Sequence, residues 1–140
     1  MSRFVLDNTV TMAWCFAEEA TEFTDTQLSR LSDLSDSAIV PALRLYEVVN
    51  VTELAVRKGR ITQEKADAFL ESLGDLPIEV ENPTRRRIFV SVRELVGQYQ
   101  LTAYDASYLE LALRRNLPIA SSDKPLTKAA HAAGIALVQS

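Results

Sequence analysis

Arg3-Phe4-Val5-Leu6-Asp7-Asn8-Thr9 is the stretch whose reading decides the fold. A short apolar run that ends in Asp-Asn-Thr reads as a buried strand turning directly into a helix. The pattern recurs at Ala38-Ile39-Val40-Pro41, after which apolar positions return at three- and four-residue steps from Ala42 to Lys58 until Gly59 stops them. Between these two units, residues 11 to 36 carry Ala13, Trp14, Ala17, Phe23, Leu28, Leu31 and Leu34 at helical spacing, enough for two helices. Thr62 reads as the N-cap of a helix running to Gly74, and Pro77 to Val80 as a third strand. Pro83 is placed at the start of a helix reaching Tyr99. Thr102 caps 103 to 115, with Leu109, Ala112 and Leu113 facing inward. Pro118 to Ser121 is a strand, Pro125 to Ala133 a helix ended by Gly134, and Ile135 to Val138 a last strand.

Strands and helices that alternate in this way imply a mostly parallel sheet covered on both faces, a three-layer α/β/α sandwich. With 140 residues and no linker, repeat or low-complexity tract, the expectation is a single domain over 1–140. The lone cysteine, Cys15, leaves no intrachain disulfide and no cysteine-based zinc site, so a cytoplasmic protein is expected. Asp7 interrupts the first apolar run before it reaches the length of a secretory signal. No apolar run approaches the roughly 18 residues of a membrane span. Fifteen Lys and Arg against nineteen Asp and Glu give a net charge of -4, which argues against a general nucleic-acid coat protein.

In open α/β sheets, ligands bind beyond the carboxyl ends of the strands, so residues placed there carry the chemistry. Asp7 ends the first strand and Asp123 follows the fourth; Glu47 lies in the helix entered from the second strand, and Asp105 one turn into the helix capped by Thr102. Each has a plainer reading. Asp7 and Asp123 are also good helix caps, Asp105 completes a Thr102-x-x-Asp105 capping box, and Glu47 has Arg44 and Arg57 as possible ion-pair partners. Taken together, four carboxylates in one crevice would repel and take up protons unless a hard divalent cation neutralised them, for which Mg²⁺ or Mn²⁺ fits.

Four motifs, Phe4-Val5-Leu6-Asp7-Asn8-Thr9, Val40-Pro41-Ala42-Leu43 leading to Tyr46-Glu47-Val48-Val49-Asn50, Leu101-Thr102-Ala103-Tyr104-Asp105-Ala106, and Ala120-Ser121-Ser122-Asp123, resemble the PIN-domain ribonucleases along the whole chain. Within them they resemble the VapC-type toxins of toxin-antitoxin pairs. The resemblance implies that Asp7, Glu47, Asp105 and Asp123 form an acidic metal-binding quartet, with Thr9 and Ser121 supplying hydroxyls beside it. Ser121 departs from the commoner Thr but keeps the hydroxyl. The resemblance further implies an RNA substrate, an antitoxin seated against residues 11–36 and 42–73, and a homodimer.

Hydrolysis of a phosphodiester with bound divalent ions needs no general-base histidine, so one His suffices. His131 is expected at or near the surface and Cys15 in or near the core. Among the basic clusters, Lys124 and Arg85 to Arg87 are candidates for RNA contact. Arg57, Lys58, Arg114 and Arg115 are explained by the helix dipole. A non-catalytic metal-binding module and an Asp7-dependent phosphotransferase are the alternatives. The second is opposed by Thr9, which stands where the haloacid-dehalogenase pattern has a further Asp. If four of the nineteen acids hold metal, the remaining fifteen balance the fifteen Lys and Arg.

Overall fold

The computed structural model describes residues 2–139. In chain order it contains β1 (Ser2–Leu6), α1 (Asn8–Ala13), a 3-10 turn at Ala17–Glu19, α2 (Glu22–Ser32), β2 (Asp36–Pro41), α3 (Leu43–Arg57), α4 (Gln63–Gly74) and β3 (Ile78–Glu81). A π-helical stretch at Arg87–Val92 then continues into α5 (Arg93–Tyr99), followed by α6 (Ala103–Arg115), β4 (Ile119–Ala120) and α7 (Lys124–Ala132). The four strands are all parallel, in the order β3-β2-β1-β4. Helices cover both faces, the three-layer arrangement expected of the sequence.

Strand alternation shows why. Phe4, Leu6, Ala38, Val40 and Ala120 point to one face and pack with Val10 of α1 and Leu31 of α2. Val5, Ile39 and Ile119 point to the other and pack with Tyr108, Leu109 and Ala112 of α6 and with Leu126 and Ala130 of α7. A parallel sheet buried on both faces has no room for polar alternation, hence its unbroken apolar runs. A third cluster, including Met12, Cys15, Phe16 and Val48, seats α3 and α4 beside α1.

Three local expectations are corrected. Ile135 to Val138 is not a strand: β4 is only two residues long, and Leu137 makes a single bridge to Ile119. Leu113 is 38% exposed, because the inward face of α6 is made by Leu109 and Ala112, and Leu113, about 100° further round the helix from Ala112, points to solvent. Pro83 lies before the helix; Thr84 takes the capping position, its hydroxyl accepting the Arg87 N–H at 3.2 Å. The π-helical turn that follows leaves Ile88, Phe89 and Val90 facing solvent.

Candidate active site

From β1 the chain steps outward to β2 and β3, then returns to the opposite flank of β1 with β4. The reversal puts the carboxyl ends of β1 and β4 side by side, the place where open α/β sheets open a crevice. Asp7 leaves β1 there, and Ser121-Ser122-Asp123 leaves β4.

Asp7 is buried at the N-cap position of α1, yet its side chain makes no capping bond. Thr9 Oγ1 and Ser121 Oγ each donate to Asp7 Oδ2 at 2.7 Å. Those hydroxyls are themselves held. Thr9 Oγ1 accepts the Ser122 N–H and Ser121 Oγ accepts the Asp123 N–H, each at 3.0 Å. Both hydroxyls therefore orient Asp7 and tie the loop after β4 to the start of α1. Asp123 does cap α7, Oδ2 accepting the Leu126 N–H at 3.0 Å. Thr102 caps α6 by accepting the Asp105 N–H at 3.1 Å, and the Asp105 side chain feels the charge of Asp123.

Glu47 is half-buried on α3, and the Tyr108 hydroxyl donates to its Oε1 at 2.7 Å. The ion pair with Arg44 or Arg57 does not form. Arg44 is buried, with Nη2 donating to Thr11 Oγ1 at 3.3 Å and Nε left without a partner among the described residues. Burial lowers its pKa, against the charge of Glu47 nearby. Tyr108 is the residue that sequence reasoning missed. Its signal was there: it stands three positions after Asp105, on the same side of α6.

The four carboxylates interact electrostatically. Burial, then the charges of Asp123 and Asp7, raises Asp105 to about 7. Burial raises Asp7, against the hydrogen bonds from Ser121 and Thr9. Burial also raises Glu47, opposed by the Tyr108 hydrogen bond and reinforced by Asp7. Tyr108 is itself raised by burial and by Glu47, so its hydroxyl stays a donor. Crowded carboxylates with raised pKa values are a recurring mark of functional sites.

As the side chains stand, no three His, Cys, Asp or Glu residues among the described residues form a group that could hold a metal ion. Their hydrogen bonds explain the spread: Tyr108 holds Glu47, Thr9 and Ser121 hold Asp7, and Leu126 holds Asp123. The donor set is all oxygen, which suits a hard cation. Mg²⁺ is ordinarily bound through one or two carboxylates and keeps several waters, so it does not need a closed cage.

Cys15 is buried with Met12 and Phe16, while His131 is exposed on α7. Arg60 pairs with Glu18 and lies over the Phe16 ring at 4.1 Å. Arg114 and Arg115 do more than sit at a helix end: both pair with Glu81. Lys124 and Lys128 form no ion pair among the described residues.

A family model described as PIN domain matches residues 4–132, a span that includes all four carboxylates. The chain belongs to the PIN domain family. Solved structures of the same fold include PAE2754 from Pyrobaculum aerophilum, at 20% identity and a TM-score of 0.70, covering 91% of this chain and 84% of that one. VapBC2 from Rickettsia felis, solved bound to a DNA fragment from its promoter, aligns at 12% identity and a TM-score of 0.67, covering 97% of each chain. FitAcB from Neisseria gonorrhoeae aligns at 17% and 0.62, covering 97% of this chain and 96% of that one. No curated protein matches the chain. Among the described residues of this PIN domain, no helix is long and apolar enough to cross a membrane.

Proposed function

We propose that this PIN domain is a Mg²⁺- or Mn²⁺-dependent endoribonuclease, the toxin of a toxin-antitoxin pair, acting through Asp7, Glu47, Asp105 and Asp123. The observation that supports the reading is the mutual electrostatic influence of Asp7, Glu47, Asp105 and Asp123 around the topological switch between β1 and β4, with Asp105 raised to about 7. A bound divalent cation supplies charge neutralisation on the phosphoryl oxygens and a more acidic attacking water. Asp7, held on Oδ2 by Thr9 and Ser121, and Glu47, held by Tyr108, keep fixed positions for that cation. Asp105, raised to about 7 by burial and by the charges of Asp123 and Asp7, would give up its proton to serve as a ligand. Arg44 offers a buried positive charge behind Glu47 that limits repulsion in the cation's absence.

The antitoxin reading rests on the motifs and on the likeness to a VapBC structure. It is supported by an apolar groove of about 300 Å³ whose walls include Leu45, Val49, Leu70, Leu73 and Val80. Leu45 and Val49 are 50% and 48% exposed, an unusual state for such residues on a helix that also packs the core. A second copy of the chain is the other expected partner, which sedimentation equilibrium tests.

The purified chain should cut RNA with Mg²⁺ or Mn²⁺, stop with EDTA, and stop again as Asp7→Asn or Asp105→Asn in folded protein. Unchanged cleavage in those variants would overturn the assignment. Expression should arrest growth, and co-expression of a short upstream reading frame encoding an antitoxin should relieve it. A folded chain that binds Mn²⁺ through these residues yet cuts nothing would favour the non-catalytic module. A trapped aspartyl-phosphate at Asp7 would favour the phosphotransferase.

A further inference from the structure

A cavity of about 560 Å³ opens between the end of α5 and one face of α7, lined by Gln98, Tyr99, Gln100, Lys124, Pro125 and Lys128 among others. Its size falls in the ordinary range of small-ligand pockets, roughly 300–1,000 Å³. Both walls start at the acidic crevice. Helix α7 begins immediately after Asp123, which caps it. The Gln98 to Gln100 wall runs through Leu101 and Thr102 into the first turn of α6, which carries Asp105. Lys124, which lines the cavity, directly follows Asp123 at the start of α7, so one end of the cavity adjoins the crevice.

Its chemistry is not that of the crevice. Tyr99 packs against the core cluster, which holds its ring in place, and Gln98 Nε2 donates to its hydroxyl at 3.3 Å. Gln100 sits at φ 56 and ψ 43, a left-handed conformation uncommon for a residue other than glycine, and its Nε2 donates to the Gly97 carbonyl at 3.0 Å. Lys124 and Lys128, one turn apart, face the same cavity and have no ion-pair partner among the described residues. An aromatic ring, two carboxamides and two free ammonium groups beside a phosphoryl-transfer crevice match one nucleotide: a planar base, its polar edge and its phosphate.

We propose that this cavity is a nucleotide subsite for single-stranded RNA, taking the base next to the scissile phosphate against Tyr99 and the following phosphate on Lys124 and Lys128. The inference rests on the nuclease reading. A base can enter only if it is unpaired, because a duplex keeps its bases stacked inside. Two other tyrosines point the same way: Tyr104, beside Asp105, is 62% exposed, and Tyr46, beside Glu47, is 76% exposed. Exposed aromatic faces are what unstacked bases bind, whereas a duplex offers them only its backbone.

The test uses fluorescence anisotropy with a labelled ten-nucleotide single-stranded RNA of mixed sequence, the same RNA as a blunt duplex, and end-sequencing of cleavage products. Asp105→Asn serves as the uncleaving background for binding. In that background, Tyr99→Leu and Lys128→Glu should each weaken single-strand binding about tenfold. Lys128→Ala should flatten the slope of log affinity against log salt by about 0.7. In the otherwise native chain both substitutions should shift the distribution of cut sites, while Tyr99→Phe and Lys128→Arg restore it. Lys128 is exposed, so its variants keep the test alive if Tyr99→Leu fails to fold. Unchanged affinity and cut sites in Lys128→Glu, with cleavage still abolished by Asp7→Asn, would overturn the subsite and leave the nuclease reading standing. Equal affinity for duplex and single strand would also overturn it, and a chain that neither binds nor cuts RNA would overturn both.

Discussion

Helix α6 carries two sets of carboxylate chemistry. Toward its N-terminus, Asp105 and the Tyr108 hydroxyl join Asp7, Glu47 and Asp123, and none of the four acids has an ion-pair partner among the described residues. Toward its C-terminus, Glu110, Arg114 and Arg115 belong to a chain of alternating charge that runs Arg3, Glu79, Arg115, Glu81, Arg114, Glu110, Arg87. The same side-chain type titrates in opposite directions. Burial pushes Glu81 up, but the hydrogen bonds from Arg114 and Arg115 outweigh it and leave it below the usual carboxylate range. Burial and like charge leave Asp105 at about 7. A carboxylate's neighbours, not its depth alone, decide whether it stabilises the fold or stores charge for a ligand.

The sharpest way to break this contrast is to neutralise the crevice. Asp7→Asn or Asp105→Asn should reduce RNA cleavage by roughly 10²- to 10³-fold in a Mg²⁺ assay, while leaving the thermal midpoint in EDTA equal or higher. Removing charge from the ladder should do the reverse. Glu110 is nearly buried between Arg114 and Arg87, so Glu110→Ala should destabilise the fold by about 3 kcal/mol in urea titration and leave the cleavage rate per folded molecule unchanged. Tyr108→Phe should sharpen the comparison from inside: the fold remains and Mn²⁺ affinity, read by calorimetry, falls about tenfold because Glu47 loses its anchor.

The pH dependence of stability separates the two regions by sign. Asp105 in the folded, metal-free chain holds a proton up to about 7, whereas its ordinary value is 3.8. Between those values the folded state binds more protons than the unfolded one, so stability falls as pH rises through that window. Glu81, lowered, contributes stability above its ordinary value of 4.5 and loses it in acid. Thermal melts in EDTA from pH 5 to 8 should therefore decline, and either Mn²⁺ or Asp105→Asn should remove much of the decline. The smallest effect belongs to the outer rung, where Arg3 and Glu79 are largely solvated. Arg3→Ala should cost about 0.5 kcal/mol or less, and less again in high salt.

The layer order, the helix caps at Thr62 and Thr102, and the turn of Asp7 away from β1 were legible because each depends on residues within a few positions. The unbroken apolar run Phe4-Val5-Leu6 is a local record of a strand buried on both faces, and helical spacing in residues 42 to 58 of which side of a helix will be buried. The sequence also placed Asp7 and Asp123 after strands, Glu47 in the helix entered from the second strand, and Asp105 one turn into the helix capped by Thr102. The motif resemblance already implied hydroxyls from Thr9, two positions from Asp7, and from Ser121, 114 positions away; it did not reveal that Glu47 would be held by Tyr108 across α3 and α6, a bond between residues 61 positions apart. Arg44 shows the limit most clearly. Spacing offered it to Glu47 as an ion-pair partner; packing instead buried it against Thr11, with Nε unpaired. Sequence by itself determined periodicity and caps, because those are set by local backbone chemistry. Only the tertiary structure decided which acids are paired with arginine and which are left to crowd one another, because charge acts through space and takes no account of position along the chain.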